Sequence, residues 1–212
     1  MQFTTVQGDV AARAADAPGT NWSTAPGPAD VCGRAASDTA MERRRLLDAL
    51  DADRGRFRAA ASALVDGRVV PFADFDGPAV CPRWPAMVER ERRLVWRAWT
   101  FEDAPLGVTL TGAAYQDNPV LYANRRLRAL TGYDPADLAG ENLRLLQGPD
   151  TEPDAVATLH DALRSWEPAT VELWNYRADG ERFRNRVSLL PVTDGAGTVT
   201  HWFGVQNAVA PG

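Results

Sequence analysis

The stretch DNPVLYANRRLRALTGYDPADLAGENLRLLQGPDT, residues 117–151, changes its hydrophobic period several times within 35 residues. PVLYA (119–123) has the composition of a strand, and the helical pattern that follows it ends at Gly132. Pro135 begins another helical turn. Residues 142–147 form a third, which ends because the Gly-Pro pair after it cannot continue a helix. This stretch therefore predicts a strand followed by short helices.

The segments on both sides extend this pattern. GVTLT (107–111) precedes the stretch and has strand composition, and a longer helix is predicted over residues 153–166. Three further strands, separated by Asp-Gly and Asp-Gly-Ala-Gly turns, are predicted at 170–178, 181–191 and 198–209. Two strands, several short helices and three antiparallel strands predict an α+β fold, a five-stranded antiparallel sheet with helices on one face.

Three side-chain amides are predicted to meet on that face. If the predicted strands 170–178 and 181–191 form a hairpin that is symmetric about Gly180, Asn175 and Asn185 stand directly opposite each other. The period of two along the last strand places Gln206 on the same side as Trp202. Buried amides must be satisfied. Either they satisfy one another, or they bind a flat heterocycle with alternating N–H and C=O groups.

The chain before residue 105 is predicted to form two segments. Residues 1–36 are rich in Ala, Gly, Pro, Asp and Thr without a sustained apolar period, so we expect a mobile tail. Residues 37–104 are expected to form a helical extension, beginning at Ser37. Its first helix or helix pair carries apolar residues at helical spacing, namely Leu46, Leu50, Phe57, Ala61 and Leu64.

A link and a second helix complete this extension. Residues 67–83 hold three prolines and predict an irregular link with a short strand at 69–72. The helix over residues 84–99 carries an apolar stripe of Trp84, Val88, Val95 and Trp99. We expect this stripe either to cover the outer sheet face or to form a dimer seam with it. That face is predicted to hold Val108, Leu110, Trp174, Tyr176, Phe203 and Val205.

Composition excludes several classes of function. The formal net charge of −5 gives no electrostatic reason to bind nucleic acid. No long apolar run and no signal-peptide pattern is present, so we expect a cytoplasmic protein without a membrane segment. Cys32 and Cys81 lie far apart without metal-ligand spacing, and we expect inert, buried thiols. His160 and His201 lack a third ligand at useful spacing, so no metal site is expected.

Residues 117–151 closely resemble the heart of the light, oxygen or voltage (LOV) subgroup of PAS domains. That family carries the run Gly-x-Asn-Cys-Arg-Phe-Leu-Gln-Gly, and this chain has GENLRLLQG at 140–148. The resemblance extends over residues 105–208 and implies a PAS/LOV flavin-binding domain in residues 105–212. The positions that contact flavin in the family correspond here to Thr111, Asn118, Asn142, Arg144, Gln147, Asn175, Asn185 and Gln206.

The chain departs from the family pattern at two positions. Leu143 stands where the family keeps the cysteine whose sulfur adds to the flavin after blue-light excitation, so no such adduct is expected. His160 replaces a second phosphate-binding arginine of the family. The short connection after Gly148 lacks the insertion typical of members that bind the dinucleotide. It therefore implies FMN, with riboflavin or FAD as less favoured forms.

The resemblance implies a blue-light photoreceptor that lacks the adduct cysteine and works by photoreduction of its flavin. Signalling would follow from a change in helix packing or association. A flavin-based redox sensor and a PAS interaction module without flavin stay open as alternatives. An enzyme is not expected, because no nucleophile and base are paired in the sequence. Expected partners are a second copy in a homodimer and an unidentified effector protein.

Overall fold

The computed structural model describes residues 28–53, 55–65, 69–112 and 116–210, with side chains from Ser37 onward. The chain divides into two compact units, residues 1–38 and 39–212. The predicted tail lies outside the described residues up to position 27. Residues 28–36 are helical, so the first helix begins at Pro28 and not at Ser37.

Seven α-helices are present in the described residues, together with 3-10 turns at Phe72–Asp74, Trp84–Ala86 and Leu143–Leu146. No helix in these ranges combines the length and apolar character needed to cross a lipid bilayer. The α-helices are α1 (Pro28–Asp51), α2 (Phe57–Ser62), α3 (Gly77–Val80), α4 (Glu89–Trp99), α5 (Arg125–Thr131), α6 (Pro135–Leu138) and α7 (Pro153–Ser165).

The strands are β1 (Gly107–Thr111), β2 (Val120–Ala123), β3 (Ala169–Tyr176), β4 (Arg182–Thr193) and β5 (Val199–Ala208). They form one five-stranded antiparallel sheet, as the sequence predicts, in the order β2-β1-β5-β4-β3. The last strand of the chain therefore lies at the centre of the sheet, between β1 and β4.

The register of the β3–β4 hairpin differs from the predicted one. Asn185 pairs with Leu173, and Asn175 pairs with Phe183. The turn causes the difference: the Arg177 amide donates to the Glu181 carbonyl at 2.9 Å, so the hairpin is centred on residue 179. Gly180 takes a left-handed conformation (φ 84°) that glycine adopts without strain. The two asparagines keep the same face because the slip is two residues, a full strand period.

One face of the sheet packs against the N-terminal helices. Leu46, Leu50, Phe57 and Ala61 are buried in one cluster with α4 and with residues of β1 and β5. The outer-face residues Val108, Leu110, Phe203 and Val205 are all fully buried there. Of the two uses predicted for α4, covering the sheet is the one observed within this chain.

The covered area is smaller than predicted, because α4 contacts β1 and β2 while β3 lies at the other edge of the sheet. Trp174 on β3 instead lies against the guanidinium groups of Arg182 and Arg184, whose Cζ atoms are 4.7 and 5.8 Å from its ring centroid. The Tyr176 hydroxyl accepts a hydrogen bond from the Asp150 amide at 3.0 Å. Both aromatic residues are therefore covered by local polar groups.

Two local predictions in residues 67–99 are wrong. No strand forms over the described residues 69–72. Pro71 has no amide hydrogen to donate, and the Val70 carbonyl accepts from Trp96 Nε1 at 2.9 Å. Val88 does not join the apolar stripe, because it precedes the first residue of α4 as its N-cap and is 64% exposed. The buried face of α4 instead consists of Leu94, Val95, Trp96 and Ala98.

A buried arginine fastens α1 to the sheet. The Arg43 guanidinium donates to the Val205 carbonyl at 2.8 Å, to Ser188 Oγ at 2.6 Å and to the Arg186 carbonyl at 3.0 Å, and it also bonds Asn207 Oδ1. Burial lowers the pKa of Arg43 to about 10, since the charged form loses its hydration. Each donated bond ends on β4 or β5, so α1 is tied to the central strand and to one of its neighbours.

Replacing Val95 by Asp tests the packing of α4. Val95 is fully buried, so an unpaired carboxylate there should lower the free energy of unfolding by about 3 kcal/mol or more. Chemical denaturation measures the loss. Val88→Asp is the matched control on the same helix. Because aspartate is a favourable N-cap, this change should leave stability equal or slightly higher. Equal stability of the two variants would contradict the observed packing.

Candidate functional site

A cleft opens on the sheet face opposite α4. Its floor consists of side chains from β1, β3, β4 and β5, and its roof consists of α7 and the 3-10 turn Leu143–Leu146. The cleft is lined by Thr111, Asn118, Asn142, Leu143, Arg144, Leu146, Gln147, Val156, Leu159, His160, Leu163, Leu173, Asn175, Val187, Leu189, Trp202 and Gln206. Its walls are thus mainly apolar, with amides on the floor and charged or polar groups near the roof.

The amides of the floor are joined through Asn185. Asn185 Nδ2 donates to Asn175 Oδ1 and to Gln206 Oε1, each at 2.9 Å. All three side chains are buried. Asn185 is opposite Leu173 and not Asn175 in the sheet. Asn175 lies two residues further along β3 on the same face, so the two asparagines are diagonal neighbours and their side chains are in contact. The amide cluster predicted from strand parity is therefore present, with Asn185 at its centre.

The floor amides do not satisfy one another fully. Asn185 Oδ1 is buried without a hydrogen-bond partner, as are Asn118 Oδ1 and Trp202 Nε1. Two of these three residues line the cleft, and the third bonds two that do. Since an unsatisfied buried polar group costs about 1–3 kcal/mol, the site has the chemistry of one that takes a ligand with both donors and acceptors.

The rim beside the 3-10 turn is built around Asp117. Asp117 and Asn118 both have positive φ angles, 66° and 48°, in the left-handed region of the backbone. Asn142 Oδ1 accepts from the Arg144 amide at 2.9 Å and so caps the turn. Arg144 makes a two-pronged ion pair with Asp117, with Nη1 2.6 Å from Oδ2. The Arg144 guanidinium holds the pKa of the Asp117 carboxyl below its usual value.

Comparison with known proteins identifies this fold and cleft. Residues 105–207 match the family model of the PAS domain. A solved light-oxygen-voltage domain studied with a flavin analogue shares 37% sequence identity with this chain. The match covers 53% of this chain and 83% of that one, with a TM-score of 0.51. The chain belongs to the LOV subgroup of PAS domains.

Curated relatives of this LOV domain are longer proteins. The bacterioopsin transcriptional activator of Halobacterium salinarum is 41% identical over 123 residues, which are 58% of this chain and 18% of that protein. A blue-light-activated histidine kinase of Brucella anthropi is 35% identical over 105 residues, 50% of this chain and 21% of that protein. The chain thus matches less than a quarter of the length of either relative, and its LOV relatives include blue-light photoreceptors.

The structure gathers the residues predicted from the LOV pattern around one cleft. Thr111, Asn118, Asn142, Leu143, Arg144, Gln147, His160, Asn175 and Gln206 line it, and Asn185 lies beneath it. Their roles toward a cofactor stay a prediction. Sequence reasoning missed most of the apolar wall, although Val156, Leu159 and Leu163 recur at helical spacing on α7. That spacing was the available signal.

Cys81 and His201 lie outside the cleft lining. Cys81 is buried among the residues that α4 packs against, and its Sγ donates to the Leu121 carbonyl at 3.4 Å. Burial raises the pKa of the Cys81 thiol, so it stays protonated. The Cys32 side chain lies outside the described residues. His201 is buried on the α4 side, where burial lowers its pKa, with Nε2 3.8 Å from Glu91 Oε1.

Asn185→Ala tests the amide floor of the LOV cleft. The change removes the donor that Asn175 Oδ1 and Gln206 Oε1 share, leaving two buried acceptors unpaired. We expect the free energy of unfolding to fall by about 1–3 kcal/mol for each acceptor. Gln147→Ala, which removes an exposed amide from the same cleft, should change it by less than about 0.5 kcal/mol. Denaturation curves showing equal losses would refute the proposed importance of Asn185.

Proposed function

We propose that this LOV domain binds FMN in the cleft and senses blue light by photoreduction of that flavin, without a cysteine adduct. The observation that carries the proposal is the buried floor of Asn175, Asn185 and Gln206, in which Asn185 Oδ1 has no partner. A flavin supplies ring N–H and C=O groups that match amide side chains. The relationship to LOV domains, including one studied with a flavin analogue, supports this choice of ligand.

The residues of the cleft fit a flavin of the mononucleotide form. Apolar side chains of α7 and β4 offer flat contact surface for a ring system, and Asn175, Asn185 and Gln206 offer polar contacts to its edge. Arg144 and His160 supply basic groups for a phosphate. The phosphate has to compete with Asp117 for Arg144, since the two side chains are paired in the structure. FMN affinity therefore depends on this exchange of partners.

The cleft offers no thiol at the position where LOV proteins form their adduct. Leu143 lines the cleft between Asn142 and Arg144. Cys81 is buried in the core between the N-terminal helices and the opposite face of the sheet. A bound flavin supplies blue-light absorption and, once excited, a strong tendency to take up an electron. With Leu143 in place, the described residues of the cleft can provide contacts, orientation and an electron, but no sulfur nucleophile. The same chemistry supports a redox sensor as the second candidate function.

A route from the cleft to the N-terminal helix runs through β5. Gln206 lies on the cleft floor, and its neighbours Val205 and Asn207 both accept hydrogen bonds from Arg43 of α1. A change in the hydrogen bonding of Gln206 shifts the strand that Arg43 holds. We propose that this movement alters the packing of α1, and that an effector protein or a second copy of the chain reads it. The role is that of a sensor and not of an enzyme.

Purification and flavin reconstitution test the proposal. We expect the chain to bind FMN and to be stabilised by about 2.7 kcal/mol when free FMN is about 100 times its Kd. Asn185→Ala should weaken the binding of FMN and leave the difference in affinity between FMN and riboflavin nearly unchanged. The substitution affects the ring edge, which both ligands share, and not the phosphate. Failure of FMN, FAD and riboflavin to raise the melting temperature would favour the interaction module without flavin.

Illumination separates the two sensor functions. A photoreceptor should lose its oxidised-flavin absorption in light with a mild reductant present, and recover in air. A redox sensor should reach the same reduced spectrum in a dark titration at potentials found in the cell, with light adding nothing. A reversible sulfur adduct in the unaltered chain would contradict the role given to Leu143.

Leu143→Cys tests the placement of residue 143. The side chain is partly buried and lines the cleft, so the smaller cysteine should cost about 1–3 kcal/mol and keep the fold. In the flavin-loaded protein, light should then protect this thiol from alkylation, which peptide mass mapping locates. Leu145→Cys is the matched control, because Leu145 lies on the same turn and packs against the same apolar cluster as Leu143 but is not among the residues that line the cleft. Equal alkylation of the Leu143→Cys variant at this position in light and in the dark would refute the placement of residue 143 beside the bound flavin.

A further inference from the structure

Two tryptophans connect the cleft to the protein surface. Trp202 on β5 lines the cleft and is 1% exposed, whereas Trp166, the C-cap of α7, is 44% exposed. Their rings are stacked, with centroids 6.3 Å apart and planes inclined by 16°. The sequence predicts the side of β5 that carries Trp202, but gives no sign of its contact with Trp166.

The backbone at Trp166 departs from the usual preference at such a position. Its φ of 61° and ψ of 32° are left-handed, a conformation that helix C-caps normally give to glycine or asparagine. A bulky aromatic residue is unfavourable there, and such outliers gather at functional sites. Glycine in its place would relieve the backbone but would remove the ring that stacks on Trp202. The strained residue is therefore the one that extends the aromatic contact to solvent.

The other aromatic side chains of the described residues lie outside the cleft lining. Among the described residues that line it, Trp202 is the one tryptophan, and no tyrosine or phenylalanine joins it. Trp174 lies between Arg182 and Arg184, whose positive charges oppose the loss of an electron from its ring. Burial and the Glu102 carboxylate raise the pKa of the Tyr122 hydroxyl, which bonds that carboxylate on the α4 side.

We propose that Trp202 and Trp166 form a two-step electron path into the cleft, an inference that rests on the flavin photoreduction proposed above. Trp202 gives one electron to the excited flavin and becomes a one-electron-oxidised indole. Its ring is 1% exposed, so water cannot reach Nε1 to take up its proton. Trp166 then returns an electron to Trp202 and releases its own Nε1 proton to water. A soluble thiol restores Trp166 by giving back one electron and one proton, and two of the resulting thiyl radicals combine to a disulfide.

This division of labour follows from the exposure of the two rings. The positive charge created at Trp202 lies in an apolar site, where a charge is unfavourable. An electron from Trp166 moves this charge outward and so lowers the energy of the system. At Trp166 the positive charge meets water and can be removed as a proton. After this step the oxidised ring is Trp166, which lies farther from the cleft than Trp202. The electron transferred to the flavin therefore returns more slowly.

Trp166→Phe is the decisive variant, because the residue is exposed and phenylalanine keeps an aromatic ring at the same backbone conformation. FMN-loaded protein is illuminated with a thiol reductant, and the rate of loss of oxidised-flavin absorption is measured. We expect Trp166→Phe to slow this loss several-fold and Trp202→Phe to slow it at least as much. Trp174→Phe, the matched control on β3, should keep the unaltered rate.

A second measurement uses the flavin-free protein. Stacked indoles couple in near-ultraviolet circular dichroism, so the coupled signal should disappear in both Trp166→Phe and Trp202→Phe and persist in Trp174→Phe. Normal FMN binding with an unaltered photoreduction rate in Trp166→Phe would overturn the electron path while leaving the proposed function intact. Failure of the unaltered chain to bind or photoreduce FMN would overturn both.

Discussion

Asn185 donates both of its amide protons across the sheet, one to Asn175 on β3 and one to Gln206 on β5. The contacts require the three strands to hold one register, because a slip of a single residue would turn each amide to the other face. They also set the polarity of the cleft floor. An apolar residue at position 185 would leave two buried acceptors without a donor, whereas the amide joins them and leaves its own oxygen without a partner among the described residues.

The two faces of β5 serve different purposes because the strand alternates strictly. Trp202 and Gln206 face the cleft, while Phe203 and Val205 are buried against the helices that cover the other side. Arg43 joins these functions, since it bonds backbone and side-chain oxygens on either side of Gln206. Burial of a guanidinium is costly, and the loss of hydration that lowers the pKa of Arg43 reflects that cost. Its several hydrogen bonds offset the cost only when α1 lies against the sheet.

The absence of a thiol from the described cleft changes what its remaining residues contribute. Under the proposed photoreduction, with Leu143 in the cleft, the ability of nearby rings to give an electron becomes the property that matters. Trp202 combines a place in the wall with a neighbour that reaches solvent. At the rim, Arg144 is held in an ion pair with Asp117, so an anion would have to compete with that carboxylate for the guanidinium.

Local sequence determined the elements of the PAS portion and the faces of its strands. Strand composition, glycine and proline at helix ends, and the period of two were enough to place Asn175, Asn185 and Gln206 on one side. The LOV motif then indicated further residues, and the structure gathers them at the same cleft. These properties are recoverable because each depends on residues close together in the chain.

Tertiary structure alone decided the contacts between distant segments. The β3–β4 register follows from the hydrogen bonds of a turn whose type Gly180 does not specify by itself. The reach of α4 depends on the strand order, which leaves Trp174 at an edge that the helix does not contact. The stack of Trp166 on Trp202 and the bonds of Arg43 join residues that lie far apart in sequence. Such contacts arise from packing and hydrogen bonding across the assembled layers, which periodicity along the chain does not encode.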